Sequence, residues 1–266
     1  MKPTLQEDVW ATLDRALLAD LANAGPPVVF AALSGAHLYG FASPDSDVDL
    51  RGAFLLPARQ LLGLHPPDET ITRADDSVVD LDWVAHDVRK FARLMTNHNG
   101  YVLEQLYSPL VVVTTPAHEE LRALGQGCVT RRTWRHYEGF ARSRRKRLGE
   151  PNATVKHLLY AYRVLLTGIH MMRTGEVVSN IQQLNAEFAI GEVEDLVHRK
   201  QTQAENSRLG DGEVDHHAPQ LDRLHVQLQE VADASHLPDE PTTVAALEDL
   251  VVRLRLEAVS PTGGEG

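Results

Sequence analysis

The stretch from Val28 to Leu56 constrains the fold most. A continuous apolar run, Val28 to Leu33, stops at Ser34-Gly35, and twelve residues after that glycine an alternating run begins with Asp47-Val48-Asp49. An apolar run of this length bounded by turn residues predicts a buried strand. The break predicts a strand-to-helix turn, whose backbone N–H groups suit phosphate and whose glycine permits close approach. Asp47 to Leu56 predicts a second strand. Its two-residue period puts Asp47 and Asp49 on one face, with Val48 and Leu50 on the other. Two parallel carboxylates repel unless a cation lies between them. Hard oxygen donors favour Mg²⁺ or Mn²⁺. Such ions align an attacking hydroxyl, a phosphate and its leaving group. Ser77 to Val84 predicts a third strand carrying Asp80 and Asp82 on one face. Either supplies a third acid; Asp82 is the one favoured, as general base for the acceptor hydroxyl or as a further ligand that lowers its pKa.

The remaining pattern is predicted as follows. Helices are expected over Glu7 to Asn23, Ala36 to Phe41, Asp87 to Asn97 and Tyr101 to Tyr107, with a short edge strand from Leu110 to Thr114. From Gln126 onward strand signals disappear. Helices are expected over Trp134 to Leu148, Thr154 to Arg173, Glu192 to Asn206, Leu221 to Ala234 and Val244 to Val259, a loop over Gly210 to His217, and a frayed tail from Ser260. A mixed front and a helical back predict an α/β (α+β) fold: a small mixed sheet over residues 1–125 followed by a helical domain over 126–266.

Several other residues have two readings. His37 either reaches a phosphate or packs locally. Arg51, on the face of Asp47 and Asp49, either neutralises phosphate or pairs with an aspartate. Arg89 and Lys90 face either the cleft or solvent. Glu104 sits at a helix edge or is paired inside. Lys156, Tyr160 and Arg163 share one helix face, which would hold a triphosphate or base if it looks into the cleft. His216-His217, in an acidic stretch, does not suggest a metal site.

Charge separates along the chain. The net charge is −11, yet residues 1–185 carry 20 Lys+Arg against 20 Asp+Glu, and residues 186–266 carry 6 against 17. Arg131 to Arg147 holds eight basic residues and one acid, Glu138, interleaved with Trp134, Tyr137 and Phe140. That suits a nucleic-acid backbone with stacked bases, or a helix that pairs with the acidic C-terminal third. A single cysteine, Cys128, excludes an intramolecular disulfide and a cysteine-built metal site. No apolar run approaches the ~18 residues of a membrane span, and the first residues lack a signal-peptide layout. A cytoplasmic protein without a membrane partner is expected.

Gly35, Tyr39, Gly40, Ser43, Pro44, Asp45, Ser46, Asp47, Asp49, Arg51 and Gly52 together resemble the Gly-Ser-x-x-Tyr-Gly and Ser/Thr-Pro-Asp-Ser-Asp-x-Asp-x-Arg-Gly motifs of the DNA polymerase β-type nucleotidyltransferases. The likeness is greatest to the bacterial RNA-ligase-associated group, the RlaP family. Asp82 before Arg89-Lys90-Phe91, Asn99 to Glu104, Lys156-His157 with Arg163, and Leu237 to Pro241 resemble later blocks, so the likeness covers most of residues 28–255. The resemblance implies a polymerase β-type sheet and metal-dependent transfer of a nucleoside monophosphate from an NTP to a hydroxyl, on RNA. It implies Asp47, Asp49 and Asp82 as catalytic and metal residues. Nucleotide contacts fall to Ser34, Gly35, His37, Arg51, Lys156, Tyr160 and Arg163. Transfer to a protein or small molecule, or nucleotide binding without catalysis, are the alternatives. Ala36 stands where the family usually has serine, a hydroxyl worth roughly 1.5–3 kcal/mol to a charged phosphate.

Overall fold

A computed structural model describes residues 5–77, 79–203 and 207–258. The first element is a pair of helices, α1 (Leu5–Trp10) and α2 (Arg15–Asn23), where one was expected. The break is chemical: Asp14 caps α2 by accepting from the N–H groups of Ala16 and Leu17 at 2.9 and 3.1 Å, and a cap residue lies outside the helix it starts. Strand β1 (Val28–Leu33) is buried almost throughout, as its apolar run predicts. It turns into the short helix α3 (Gly35–Tyr39) and returns as β2 (Val48–Phe54).

After a single turn of helix, α4 (Ala58–Leu61), come β3 (Thr70–Asp75) and β4 (Leu81–Asp87). The third strand expected over Ser77 to Val84 thus lies later in the chain. Ser77 forms a turn instead, its N–H and hydroxyl both donating to Asp75 Oδ1 at 3.0 and 2.6 Å; Val78 lies outside the described residues. β3 escapes the pattern because its Thr72 and Ala74 face solvent at the sheet edge. Helices α5 (Val88–Thr96) and α6 (Gly100–Leu106), edge strand β5 (Val111–Val113) and helix α7 (Pro116–Gly125) complete this half. α7 was not expected, although Thr115 as cap, with Pro116 following, marks its start.

The five strands lie in the order β3-β4-β2-β1-β5. β2 and β4 are parallel; the other neighbours are antiparallel. Phe30, Phe54, Trp83 and Phe91 fill the core against the sheet.

Among the described residues the back half is helical: α8 (Trp134–Leu148), α9 (Val155–Thr174), α10 (Ile181–Phe188), α11 (Gly191–Thr202), α12 (Glu213–Asp233) and α13 (Val244–Glu257). Fourteen of the twenty residues of α9 are buried, as befits a helix that is surrounded; α8, α10, α11 and α12 pack around it. The expected loop from Gly210 to His217 is corrected by α12, which begins at Glu213. His217 is buried there beside α9, its ring nitrogen 2.9 Å from the Tyr162 hydroxyl, so packing overrides the polar local sequence. α10 was not expected; its cap is Asn180. The expected ends at Asn206 and Val259, and the tail, lie outside the described residues.

α13 does not stay with its neighbours. It packs on α5 and α7, and Arg255 reaches the fully buried Asp87 at 2.5 Å and also donates to the Leu56 carbonyl. That carboxylate further accepts from Leu56 N–H at 3.0 Å and Arg89 N–H at 2.9 Å, so one side chain ends β4, caps α5 and ties in α13.

Candidate active site

The parallel register of β2 and β4 decides the geometry. Asp49 and Asp82 are direct partners, so their side chains share one face and stand side by side. Arg51, one pleat further on, reaches back between them: its Nη2 lies 2.5 Å from Asp49 Oδ1 and 2.7 Å from Asp82 Oδ2. Its Nη1 donates to the Asp82 and Leu50 carbonyls at 2.5 and 2.8 Å, and its Nε to the Tyr101 hydroxyl at 3.3 Å. Of its two readings, Arg51 therefore takes the aspartate pair. Asp80 is exposed and precedes β4; its carbonyl accepts from Val48 N–H at 2.7 Å.

The glycine turn abuts the same carboxylate. Gly35 has φ +57°, a left-handed conformation that other residues adopt rarely. A Cβ built there would collide with the Asp49 carboxyl group. Glycine is required twice over, by its backbone and by the acid packed against it.

Asp49 opens into a cleft of about 520 Å³ between the sheet and α8–α9. Arg144, Lys156 and Tyr160 line its far side with Phe140, and Tyr101 lines it from α6, beside Arg51. Burial pushes the Asp49 carboxyl up to about 6; Arg51 opposes this, Asp47 and Asp82 add to it, and Lys156 opposes it from across the cleft. Burial, with the negative charge of Asp49 next, raises the Tyr160 phenol above its ordinary value, so at neutral pH it is a hydrogen-bond donor. Arg144 stacks over the Tyr160 and Phe140 rings at 5.2 and 5.7 Å. Tyr160 packs edge-on against Tyr39 and Phe41. His157 is held by the start of α9: its Nδ1 accepts from Thr154 N–H at 3.1 Å, completing a capping box.

The other expected contacts are distributed differently. Arg163 borders the cleft but is 3% exposed, with Nη1 2.7 Å from Glu104 Oε1 and its guanidinium 4.0 Å from the Tyr39 ring centroid. The Tyr39 hydroxyl bonds the other Glu104 oxygen at 3.2 Å. Glu104 is thus paired inside, and Arg163 supports the floor. Ser34 is fully buried, and its hydroxyl has no hydrogen-bond partner among the described residues. Ala36 is buried as well. His37 lines a separate cleft of about 680 Å³, beside Ser43 to Ser46 and Asp80. Arg89 pairs with Glu69 at 2.9 Å and Lys90 bonds the Thr70 hydroxyl at 2.5 Å, both at the β3 edge. Thr154 carries no sequence signal beyond the capping of its own helix, and Tyr101, although inside the Asn99 to Glu104 block, was not singled out as a site residue.

The basic stretch from Arg131 to Arg147, a 3-10 turn followed by α8, divides its charges. Arg131, Arg132 and Arg145 pair with Asp239, Glu240 and Asp222 of the acidic C-terminal third, and Arg142 with Glu138. Arg144 turns to the cleft.

A family model for the RNA repair pathway DNA polymerase beta family matches residues 9–253. The chain belongs to that family. An uncharacterized protein of Methanocaldococcus jannaschii, MJ0002, is 29% identical over 157 residues, which cover 57% of this chain and 63% of that protein. The match thus spans less than two thirds of that relative. Membership supports a nucleotidyltransferase-type function. No helix among the described residues is long and apolar enough to cross a membrane.

A divalent cation is the group this family implies. Among the described residues no three Asp, Glu, His or Cys side chains converge on one point, since Arg51 takes the space between Asp49 and Asp82. The donor set nevertheless fits a hard cation. Asp49 is largely buried, and Asp47 and Asp82 both press on its charge, a repulsion that a cation on the Asp47–Asp49 side would relieve.

Proposed function

We propose that this protein is a metal-dependent nucleotidyltransferase that moves a nucleoside monophosphate from an NTP to a hydroxyl on RNA. The observation that carries this reading is Asp49, packed against the Gly35 turn and facing Lys156 and Arg144 across one cleft, with Asp82 as its register partner on the neighbouring strand. Residues 1–125 would then supply the acid wall and residues 126–266 the basic wall.

Asp47 and Asp49 would hold the Mg²⁺ or Mn²⁺. When bound, the ion supplies Lewis-acid stabilisation of the phosphate and a lower pKa for the attacking hydroxyl. Lys156 and Arg144 bind the triphosphate as donors and point charges. Tyr160, kept protonated, donates a hydrogen bond from the same wall. Asp82 takes up the proton of the acceptor hydroxyl, and Arg51 fixes its carboxylate in place. Arg163 acts through Tyr39 and Glu104, by holding the floor.

Transfer of label from each α-³²P-labelled NTP, with Mg²⁺ or Mn²⁺, into RNA and into protein tests the reading. Label is expected in RNA, falling about 10³-fold or more in an Asp47→Ala, Asp49→Ala double variant. Label in protein would move the assignment to protein nucleotidylation. NTP binding without transfer would make this a binding module, with Ala36 as the suspect.

A further inference from the structure

A second basic pocket lies at the other end of the α6–α8 seam. It measures about 410 Å³ and is lined by Asn97, His98, Asn99, Arg132, Arg135 and His136, with no carboxylate in its wall. His98 is held at φ +57°, which side-chain-bearing residues seldom adopt; its Nδ1 lies 2.8 Å from the Thr130 hydroxyl. At the rim sits the Glu240 carboxylate, paired with Arg132 and 3.7 Å from His98 Nε2. An anionic oxygen from the chain itself thus already occupies the edge of the pocket. Arg135 makes no ion pair among the described residues.

The pocket and the active cleft lie along the same α6–α8 contact. Gly100 follows Asn99, and a Cβ on it would strike the Tyr137 and His136 rings at 2.8 and 2.9 Å, so α6 and α8 touch there. Tyr101, the next residue, lines the active cleft. On α8, His136 stacks on Phe140 at 5.0 Å and 28°, and Arg144 stands over Phe140. His136, Phe140 and Arg144 therefore follow one face of α8 at four-residue steps, and Arg132 stands in the turn that precedes it. Burial, with Arg163 next, pushes the His136 imidazole down to about 4, leaving it a neutral ring at pH 7. Two stacked neutral rings flanked by cations are a surface that a single strand recognises, phosphates on the cations and bases on the rings.

We propose that the pocket formed by Asn97 to Asn99 and Arg132, Arg135 and His136 holds a backbone phosphate of a single-stranded RNA acceptor. From His136 to Arg144 is eight residues of helix, about 12 Å at roughly 1.5 Å per residue. At about 3.4 Å per stacked nucleotide, that places the phosphate about three to four nucleotides from the reacting hydroxyl. The inference rests on the RNA-acceptor reading above and adds the strand's path and minimum length.

Fluorescence anisotropy of labelled two- and ten-nucleotide single-stranded RNAs tests it, on wild type, Arg135→Gln and Glu240→Gln, with ATP binding measured alongside. Arg135→Gln should weaken the ten-mer about ten-fold or more and flatten the slope of log K against log salt by about 0.7, leaving the dinucleotide and ATP unchanged. Glu240→Gln, which removes the competing anion, should tighten the ten-mer, a gain that misfolding cannot mimic. If Arg135→Gln keeps wild-type affinity and slope while wild type binds RNA, the subsite is overturned and the transferase reading stands. If wild type binds ATP but neither RNA, both the subsite and the RNA acceptor fall. Equal binding of a polyglutamate peptide would overturn the assignment to a nucleic acid.

Discussion

The acid wall of the cleft stands on backbone, and the basic wall stands on side chains. Asp49 and Asp82 are neighbours because β2 and β4 are hydrogen-bonded in one register, and a one-residue slip would send both to the other face. Arg144 and Lys156 belong to different helices and reach the cleft from the two sides of the α8–α9 connection. The first wall is fixed to within a hydrogen bond. The second depends on how two helices pack and on the rings under Arg144. On the transferase reading proposed above, the asymmetry has a reason: the carboxylates must keep a set spacing, whereas the cations need only follow the charge they bind.

That contrast is broken most severely at the floor where the walls meet. Glu104→Leu leaves Arg163 buried without its counter-ion, and the loss of stability is expected to be about 3–5 kcal/mol. Urea denaturation measures it. A double variant, Glu104→Leu with Arg163→Met, should recover part of the loss, since an apolar pair replaces a buried ionic one.

Next in size is Asp49→Asn, which should stabilise the protein while abolishing transfer. The Asp49 carboxyl is pushed from an ordinary 3.8 to about 6 in the fold. The folded state thus binds its proton more tightly than the unfolded one, and ionisation costs up to about 3 kcal/mol. The cost is fully present above pH 6 and disappears as the pH falls below 4. In EDTA, the variant should melt at a higher temperature than wild type at pH 8, and the two should converge toward pH 4. An unchanged Tm at pH 8 would refute the strained acid wall.

Lys156→Ala probes the basic wall. The KM for NTP should rise about ten- to hundred-fold, the worth of one charged contact, with kcat and the thermal midpoint nearly unchanged. Smallest of all is Arg142→Ala, which removes an exposed pair with Glu138 on α8. It should cost at most about 0.5 kcal/mol, and transfer should not change, because its charge does not face the cleft.

Sequence made the acid wall readable and the basic wall much less so. β1 is bounded by its apolar run, and the Asp47-Val48-Asp49 alternation gives the strand face directly. The Asp49–Asp82 pairing needed only the assumption that β4 lies beside β2, although β4 itself begins later than its pattern suggested because Asp75 and Ser77 make a turn. Helix spacing put Lys156, Tyr160 and Arg163 on one face, yet it could not separate Arg163, which Glu104 draws into the core, from its two companions. Nothing local told Arg144 from Arg145. One turns to the cleft and the other to Asp222, a distinction that depends on α12 being in place. Tyr101 was hidden for the same reason, since its contact with Arg51 joins residues fifty positions apart.

The clasp between Arg255 and Asp87 bears on how the molecule is made. Asp87 ends the strand that carries Asp82, and it is wholly enclosed. Its counter-ion is supplied 168 residues later in the chain. Every strand of the sheet is synthesised long before that arginine, and until then the Asp87 carboxylate has only the Leu56 and Arg89 N–H groups to hold its charge. A chain cut before Arg255 would bury Asp87 without its counter-ion, a loss of about 3–5 kcal/mol at the end of the strand that carries Asp82.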